Sequence, residues 1–176
     1  MKGQFATATP AQQFLSFSLN PNLQALLSAQ QLAEIVRLDP ATIIAIPQMP
    51  EAVIGVCPWQ GEVLWLVDLA YLLGLEPLIK SANIQSNCSI LKIRSQQGNL
   101  GLLVAQIGQL VSCEPSSIQP ADLSLNKLKR LANSLNIEES AAAIPHLCIQ
   151  GSWTHPDGSI LPIINIEALI QYLVQD

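Results

Sequence analysis

The chain has 176 residues, 49% of them apolar and only 12% charged, and 13 acidic against 8 basic side chains leave a formal net charge of −5. That length suits one domain or two small fused ones with a substantial core, and the apolar content excludes a disordered chain. No basic residue occurs between Arg37 and Lys80, which argues against the clustered lysine and arginine that nucleic acid or an anionic membrane surface requires. A surface so poor in charge implies cover by partners.

Residues 1–12 are small and polar and read as a frayed tail before a folded unit at 13–176. Phe14–Leu19 alternates as FLSFSL, a strand with Phe14, or Leu15 and Phe17, on its buried face. Asn20-Pro21-Asn22 turns the chain into a second strand, Leu23–Ser28. Leu32, Ile35 and Val36 then predict a helical turn running into a short strand over Gln30–Arg37. Asp39-Pro40 breaks it, and the β-branched run Thr42–Ile46 predicts another short strand.

Pro47 and Pro50 bracket an extended connection into two strands, Val53–Cys57 and Glu62–Val67, joined by Pro58-Trp59-Gln60-Gly61. Gly61 is available for a positive φ. Asp68 is the expected N-cap of a short helix carrying Leu69, Leu72 and Leu73, which Gly74 stops. Strands follow at Cys88–Arg94, Leu100–Val104 and Ile107–Cys113, with Gly101 and Gly108 marking close backbone approach. Pro115 and Pro120 delimit a connector. Leu125, Leu128, Leu131 and Leu135 recur at helical spacing in Ser124–Ile137, with Lys127, Lys129 and Arg130 interleaved as a solvated face or a docking surface for an acidic partner. A last hairpin, Leu147–Trp153 and Ser159–Ile164, turns at His155-Pro156-Asp157-Gly158. Asn165 caps a closing helix with Ile166, Leu169, Ile170 and Leu173 on one face.

The end of the chain echoes its middle. GEVLWLVDLAYLL from Gly61 aligns with GSILPIINIEALI from Gly158, pairing Asp68 with Asn165, and the strand containing Gly55 matches the one containing Gly151. The chain is therefore expected to be mainly β, about ten short strands in a pair of small barrels, each half finished by a short helix.

Catalytic chemistry is hard to find. There is no Cys-x-x-Cys pair, and His146 with Cys148 are two ligands, not a zinc site. Asp157 suits turn geometry, no nucleophile elbow or phosphate-cradling loop occurs, and single carboxylates such as Glu34, Glu51 and Glu62 form no evident pair. The expectation is a binding module, not an enzyme, with no cofactor and no metal. No apolar run approaches the roughly 20 residues of a membrane span, and the N-terminus lacks a signal peptide's apolar segment. A cytoplasmic location is expected, without membrane insertion, with Cys57, Cys88, Cys113 and Cys148 reduced and acting as small hydrophobes. Trp59, at a hairpin tip, either folds over its own barrel or meets a partner.

The order of motifs resembles the CheW family of chemotaxis adaptors. Members show a proline-bearing approach, an apolar strand ending in Gly-Val, an Asn-x-Arg-Gly turn and a strand reading roughly Ile-x-Pro-Val-Ile-Asp-Leu. Here these are Ile46-Pro47, Ile54-Gly55-Val56, Pro58-Trp59-Gln60-Gly61 and Leu64-Trp65-Leu66-Val67-Asp68-Leu69. Leu32-Ala33-Glu34-Ile35 resembles the family's Val-x-Glu-Ile segment, and Leu100–Val104 its Val-Gly-x-x-Val strand. The resemblance implies two intertwined, five-stranded, SH3-like barrels and no enzymatic activity. It implies as partners the regulatory domain of a CheA-type histidine kinase and, in a groove between the barrels, the tip of a methyl-accepting receptor. The partner-binding positions it carries over are Leu32, Glu34, Ile35, Gly55, Gln60 and Gly61, with Gly101 and Gly151 shaping the groove; Trp59 joins them by its place at the tip. Gln60 stands where the family has arginine, Ala105 where it has aspartate, and Ser124–Ile137 resembles an expanded connector. These departures suggest a specialised member, for phototaxis or twitching, and leave open one without receptor coupling that binds a response regulator or forms a homodimer.

Overall fold

The computed structural model describes residues 9–80, 88–94, 96, 98–121 and 148–175. The expected basic helix at 124–137 and His146 lie outside them. Among the described residues, eleven strands form two mixed sheets. The middle of the chain builds one, from β3 (Leu32–Leu38), β4 (Val53–Trp59), β5 (Glu62–Asp68), β6 (Cys88–Ile93) and β7 (Leu100–Val104), in the order β3-β6-β7-β5-β4. The two ends build the other, from β1 (Gln12–Asn20), β2 (Leu23–Ser28), β8 (Gln106–Cys113), β9 (Ile118–Pro120), β10 (Ile149–Thr154) and β11 (Ile160–Ile164), in the order β8-β1-β2-β11-β10-β9. This sheet has six strands where five are expected, because the Pro115–Pro120 connector ends in the short edge strand β9.

Leaving β9 aside, the two sheets have one topology. In each, an outer strand pairs antiparallel with a hairpin, the hairpin meets a second hairpin through one parallel junction, and that second hairpin reaches the far side. The parallel junctions are β7 with β5 and β2 with β11. The chain simply enters the cycle at a different point. The echo seen in the sequence therefore extends further than the hairpins. Asp39-Pro40-Ala41-Thr42 and Glu114-Pro115-Ser116-Ser117 each form a 3-10 turn after the outer strand. In both halves the chain then crosses the next hairpin, as an Ile44–Val56 bridge in one and as β9 beside β10 in the other.

The short strand expected at Thr42–Ile46 is reduced to that single bridge. The helical turn expected within Gln30–Arg37 is absent, and β3 runs extended from Leu32 to Leu38. A bulge between Leu32 and Glu34 interrupts the pairing with β6, yet burial still alternates along β3, with Val36 and Leu38 buried and Ile35 44% exposed on the other face. The helix-like spacing of Leu32, Ile35 and Val36 comes from one apolar side chain on the outward face.

Each hairpin hands over to a helix through a capped aspartate or asparagine. Asp68 Oδ1 accepts the Tyr71 N–H at 3.1 Å and opens α1 (Leu69–Leu72). Asn165 Oδ1 accepts the Ala168 N–H at 3.1 Å and opens α2 (Ile166–Gln175). The backbone repeats too, since Asp68 N–H donates to Ala52 and Asn165 N–H to Cys148, both at 2.8 Å. Their lengths differ for a local reason. Gly74, at φ 79°, closes α1 with Gly74 N–H to the Tyr71 carbonyl and Leu75 N–H to that of Ala70. The matching position in α2 is Gln171, which stays helical.

The larger core fills the β3–β7 barrel with Val36, Leu64, Leu66, Ile90 and Leu103 and continues to Leu15, Phe17 and Leu27 of the other sheet. A smaller one, Phe14, Leu26, Cys113, Leu161 and Ile163, fills the second barrel. β1 lies between the two, so Phe14, Leu15, Phe17 and Leu19 are all buried, while Ser16 and Ser18 are half-buried.

Candidate functional site

The β4–β5 hairpin closes on two residues, with Trp59 paired to Glu62. Gln60 at φ 52° and Gly61 at φ 81° both lie in the left-handed region, the geometry of a type I′ turn, whose twist matches that of the strands it joins. Pro58 and Trp59 thus belong to β4 rather than to the turn, and Pro58 is tolerated because β4 is an edge strand.

This turn reaches back to β3. The Trp59 indole N–H donates to Glu34 Oε2 at 3.2 Å, and the Gln60 side-chain amide donates to Glu34 Oε1 at 3.4 Å. Both carboxylate oxygens are therefore held by neutral donors from one hairpin tip. Trp59 is half-buried against the larger core, so its ring folds over its own barrel and is not a free anchor. Lys92 stands opposite Glu34 across the β3–β6 ladder. Ile35 is 44% exposed on the other face of β3, and Leu32, half-buried, accepts a hydrogen bond from Arg94 Nε at 3.1 Å. Leu32, Glu34, Ile35, Trp59, Gln60 and Gly61 thus converge on one region, a fixed carboxylate beside an apolar ridge.

The other three expected residues are not there. Gly55, Gly101 and Gly151 are buried, and each keeps space for a neighbour. A Cβ on Gly55, at φ 140°, would lie 2.3 Å from the Ile44 carbonyl oxygen, and one on Gly151 would lie 2.5 Å from that of Gln119. These are equivalent sites, where the crossing segment of each half passes over its hairpin. On Gly101 a Cβ would meet Ile90 Cγ2 at 2.6 Å inside the barrel. Their place is in the frame that positions the site.

Two grooves lie nearby. One of about 390 Å³ runs between the β2–β3 turn, at Gln30 and Gln31, and the start of α2, at Ile166, Glu167 and Ile170. Arg94 lines it and joins it to Leu32. The other, about 770 Å³, is bounded by Met49, Glu51, Tyr71, Leu72, Tyr172 and Leu173; there the Tyr71 hydroxyl donates to Glu51, which pushes the phenol's pKa up. Nothing in the sequence pattern singles out either groove, because each needs the closing helix α2 to meet segments far earlier in the chain.

Reactive groups are muted. Cys57, Cys88, Cys113 and Cys148 are free and buried, and burial pushes every thiol up, Cys88 to about 11 with help from Asp39 and Asp68. Such thiols are poor nucleophiles and poor metal ligands at neutral pH. Asp157 serves its turn, with Oδ1 accepting the Ser159 hydroxyl at 2.6 Å and the Ser159 N–H at 2.8 Å and lying 3.0 Å from His155 Nδ1. Among the described residues no group of three or more His, Cys, Asp or Glu side chains gathers at one point, and no helix is long and apolar enough to cross a membrane.

Comparison with known proteins gives two findings. The family model described as the CheW-like domain matches residues 13–174. The crystal structure of the scaffolding protein TtCheW from Thermoanaerobacter tengcongensis is similar in fold, with a TM-score of 0.66 at 20% sequence identity, over 89% of this chain and 90% of that one. No curated protein matches the sequence.

Proposed function

The chain belongs to the CheW-like domain family, and from that premise we propose that it is a non-enzymatic cytoplasmic adaptor that couples a methyl-accepting receptor to a CheA-type histidine kinase in a motility pathway. The observation that carries this reading is the convergence of Leu32, Glu34, Ile35, Gln60 and Gly61 at one barrel closure, with Glu34 held from both oxygens. A carboxylate pinned this way loses little freedom when a partner donates to it, which lowers the cost of association. The exposed Ile35 suits an apolar position on a helix, and the groove beside Leu32, lined by Gln30, Gln31, Arg94 and Glu167, suits that helix's polar side chains.

Two immobilised partners test it, the kinase's regulatory domain and a receptor cytoplasmic hairpin. Binding to both at micromolar concentration is expected, with the receptor arm weakened by Glu34→Ala. Failure to bind the kinase domain at those concentrations would sink the adaptor reading. Kinase binding without receptor binding would instead favour the version lacking receptor coupling, to which Gln60 in place of arginine already points.

A further inference from the structure

The groove of about 770 Å³ takes no part in the site around Glu34 and shares no lining residue with the smaller groove beside Leu32. It lies where the last residues of two helices meet the segment leading into β4. α1 runs out through Tyr71 to Leu75, the last turn of α2 brings Tyr172 and Leu173, and the segment before β4 brings Met49 and Glu51. At the rim Gln48 holds φ 62°. That left-handed conformation costs a residue other than glycine, and it persists only where the surrounding structure fixes it.

The charge of the groove has one sign. Glu51 is the acid that lines it, and no lysine, arginine or histidine does so among the described residues. The Tyr71 hydroxyl donates to Glu51 Oε2 and so fixes the carboxylate. Among the described residues Oε1 has no hydrogen bond and Glu51 no ion pair. α2 adds to the field. Its ten residues include no basic side chain in the last turn, so the partial negative charge of its C-terminal carbonyls is not offset. Two phenol rings, whose faces attract cations, line the same space, and leucines complete it.

We infer that this groove docks an arginine side chain presented by an apolar segment of a partner protein. The guanidinium binds Glu51 Oε1 beside the tyrosines, and the residues flanking the arginine cover Leu75 and Leu173. Arginine is favoured over lysine because its planar group donates to a carboxylate, stacks on an aromatic face and is more weakly hydrated than an ammonium. A segment of chain is favoured over a free cation because a guanidinium fills only a small part of the groove, and apolar neighbours are needed for the rest. The proposal uses no residue of the adaptor reading, and either can fail alone.

Met49 supplies a reporter. The chain has two methionines, Met1 and Met49, so methyl-labelled methionine NMR of the full-length protein reads the groove directly. The probe is the peptide acetyl-Leu-Arg-Leu-amide, and its control carries citrulline, of the same shape and without charge, in place of arginine. The arginine peptide is expected to move the Met49 signal saturably with a dissociation constant of about 1 mM or lower, and the citrulline peptide to bind at least about fivefold more weakly. Glu51→Gln, at an exposed position, keeps an acceptor for the Tyr71 hydroxyl and is expected to abolish the preference for arginine. Glu114→Gln removes the same charge from an exposed residue outside the groove whose side chain makes no capping hydrogen bond, and is expected to leave the preference intact. Four results would each overturn the proposal. They are no saturable shift at Met49, equal binding of the two peptides, a preference that survives Glu51→Gln or is lost equally in Glu114→Gln, and a Met49 signal that moves with protein concentration alone, which would assign the groove to a second copy.

Discussion

The indole of Trp59 is tied to the carboxylate of Glu34 at 3.2 Å, joining residues 25 positions apart in sequence and on strands at opposite ends of one sheet. The bond closes the barrel and at the same time fixes the charge expected to face a partner. Structure and recognition therefore share one contact.

The residue beside that contact sets its charge. Gln60 itself is uncharged, and Glu34 stands opposite the Lys92 ammonium across the β3–β6 ladder. Gln60→Arg adds a cation within reach of Glu34 on an exposed turn, where a pair contributes about 1 kcal/mol or less. Stability in urea is expected to stay within that margin. Affinity for a receptor hairpin, measured by calorimetry, is expected to rise by up to about tenfold, equivalent to ~1.4 kcal/mol.

The buried glycines should separate from the surface residues in such assays. Gly55→Ala drives a Cβ into a backbone oxygen at positive φ, and is expected to cost upwards of about 3 kcal/mol. Gly101→Ala meets side-chain ends that have some room to shift, and the overpacking is expected to cost about 1–3 kcal/mol. Urea midpoints check the order. Partner binding by the folded fraction should stay at wild-type strength in Gly101→Ala, since no surface group changes.

The two helix caps are equivalent in position and unequal in demand. Asp68 accepts from Tyr71 with one oxygen and from the Ile79 N–H with the other, at 3.0 Å, whereas Asn165 caps with one. Asp68→Asn would set an amide against the Ile79 N–H and is expected to cost about 1–3 kcal/mol. Asn165→Asp keeps its cap and is expected to change stability by under about 0.5 kcal/mol. Desolvation raises the Asp68 pKa, outweighing the backbone hydrogen bonds that lower it. A raised folded-state pKa means that the native chain binds the proton more tightly, so this group's contribution falls as pH rises above the usual carboxylate value of about 3.9. In Asp68→Asn that part of the acid-limb slope should vanish from urea titrations.

Asp157 behaves oppositely. The Ser159 hydroxyl, then the Ser159 N–H and His155, hold its carboxyl down to about 2. The hydrogen-bonded turn is thus favoured above the unfolded carboxylate value and lost only as pH falls through about 2. A carbon-detected NMR titration should place Asp157 there, and Ser159→Ala should move it up towards the ordinary range.

Much of the fold is legible from residue order alone. Hairpins, caps and the Gly74 stop follow from local chemistry acting over a few residues, and so does the echo of one half in the other. β3 is not, because Ile35 is an apolar side chain on the exposed face, and together with Leu32 and Val36 of the inward face its spacing imitates a helix turn. The site is only half legible. Resemblance points to Glu34 and Gln60, but their contact depends on β3 and β4 closing a barrel. The buried glycines pass for groove-formers because a glycine in a strand marks a close approach without saying what approaches.

The shared topology has a consequence for how the chain folds. The strands of one barrel, Leu32 to Val104, are contiguous, and could assemble as soon as they are made. The other must wait: β1 finds its partner β8 only after the whole of the first barrel has been synthesised, and β2 finds β11 later still. Until then the opening hairpin has a finished turn but lacks the strands that flank it. Loop closure over such distances is slow, so formation of the β2–β11 junction, the last and longest of these pairings, is expected to set the pace at which the native protein appears.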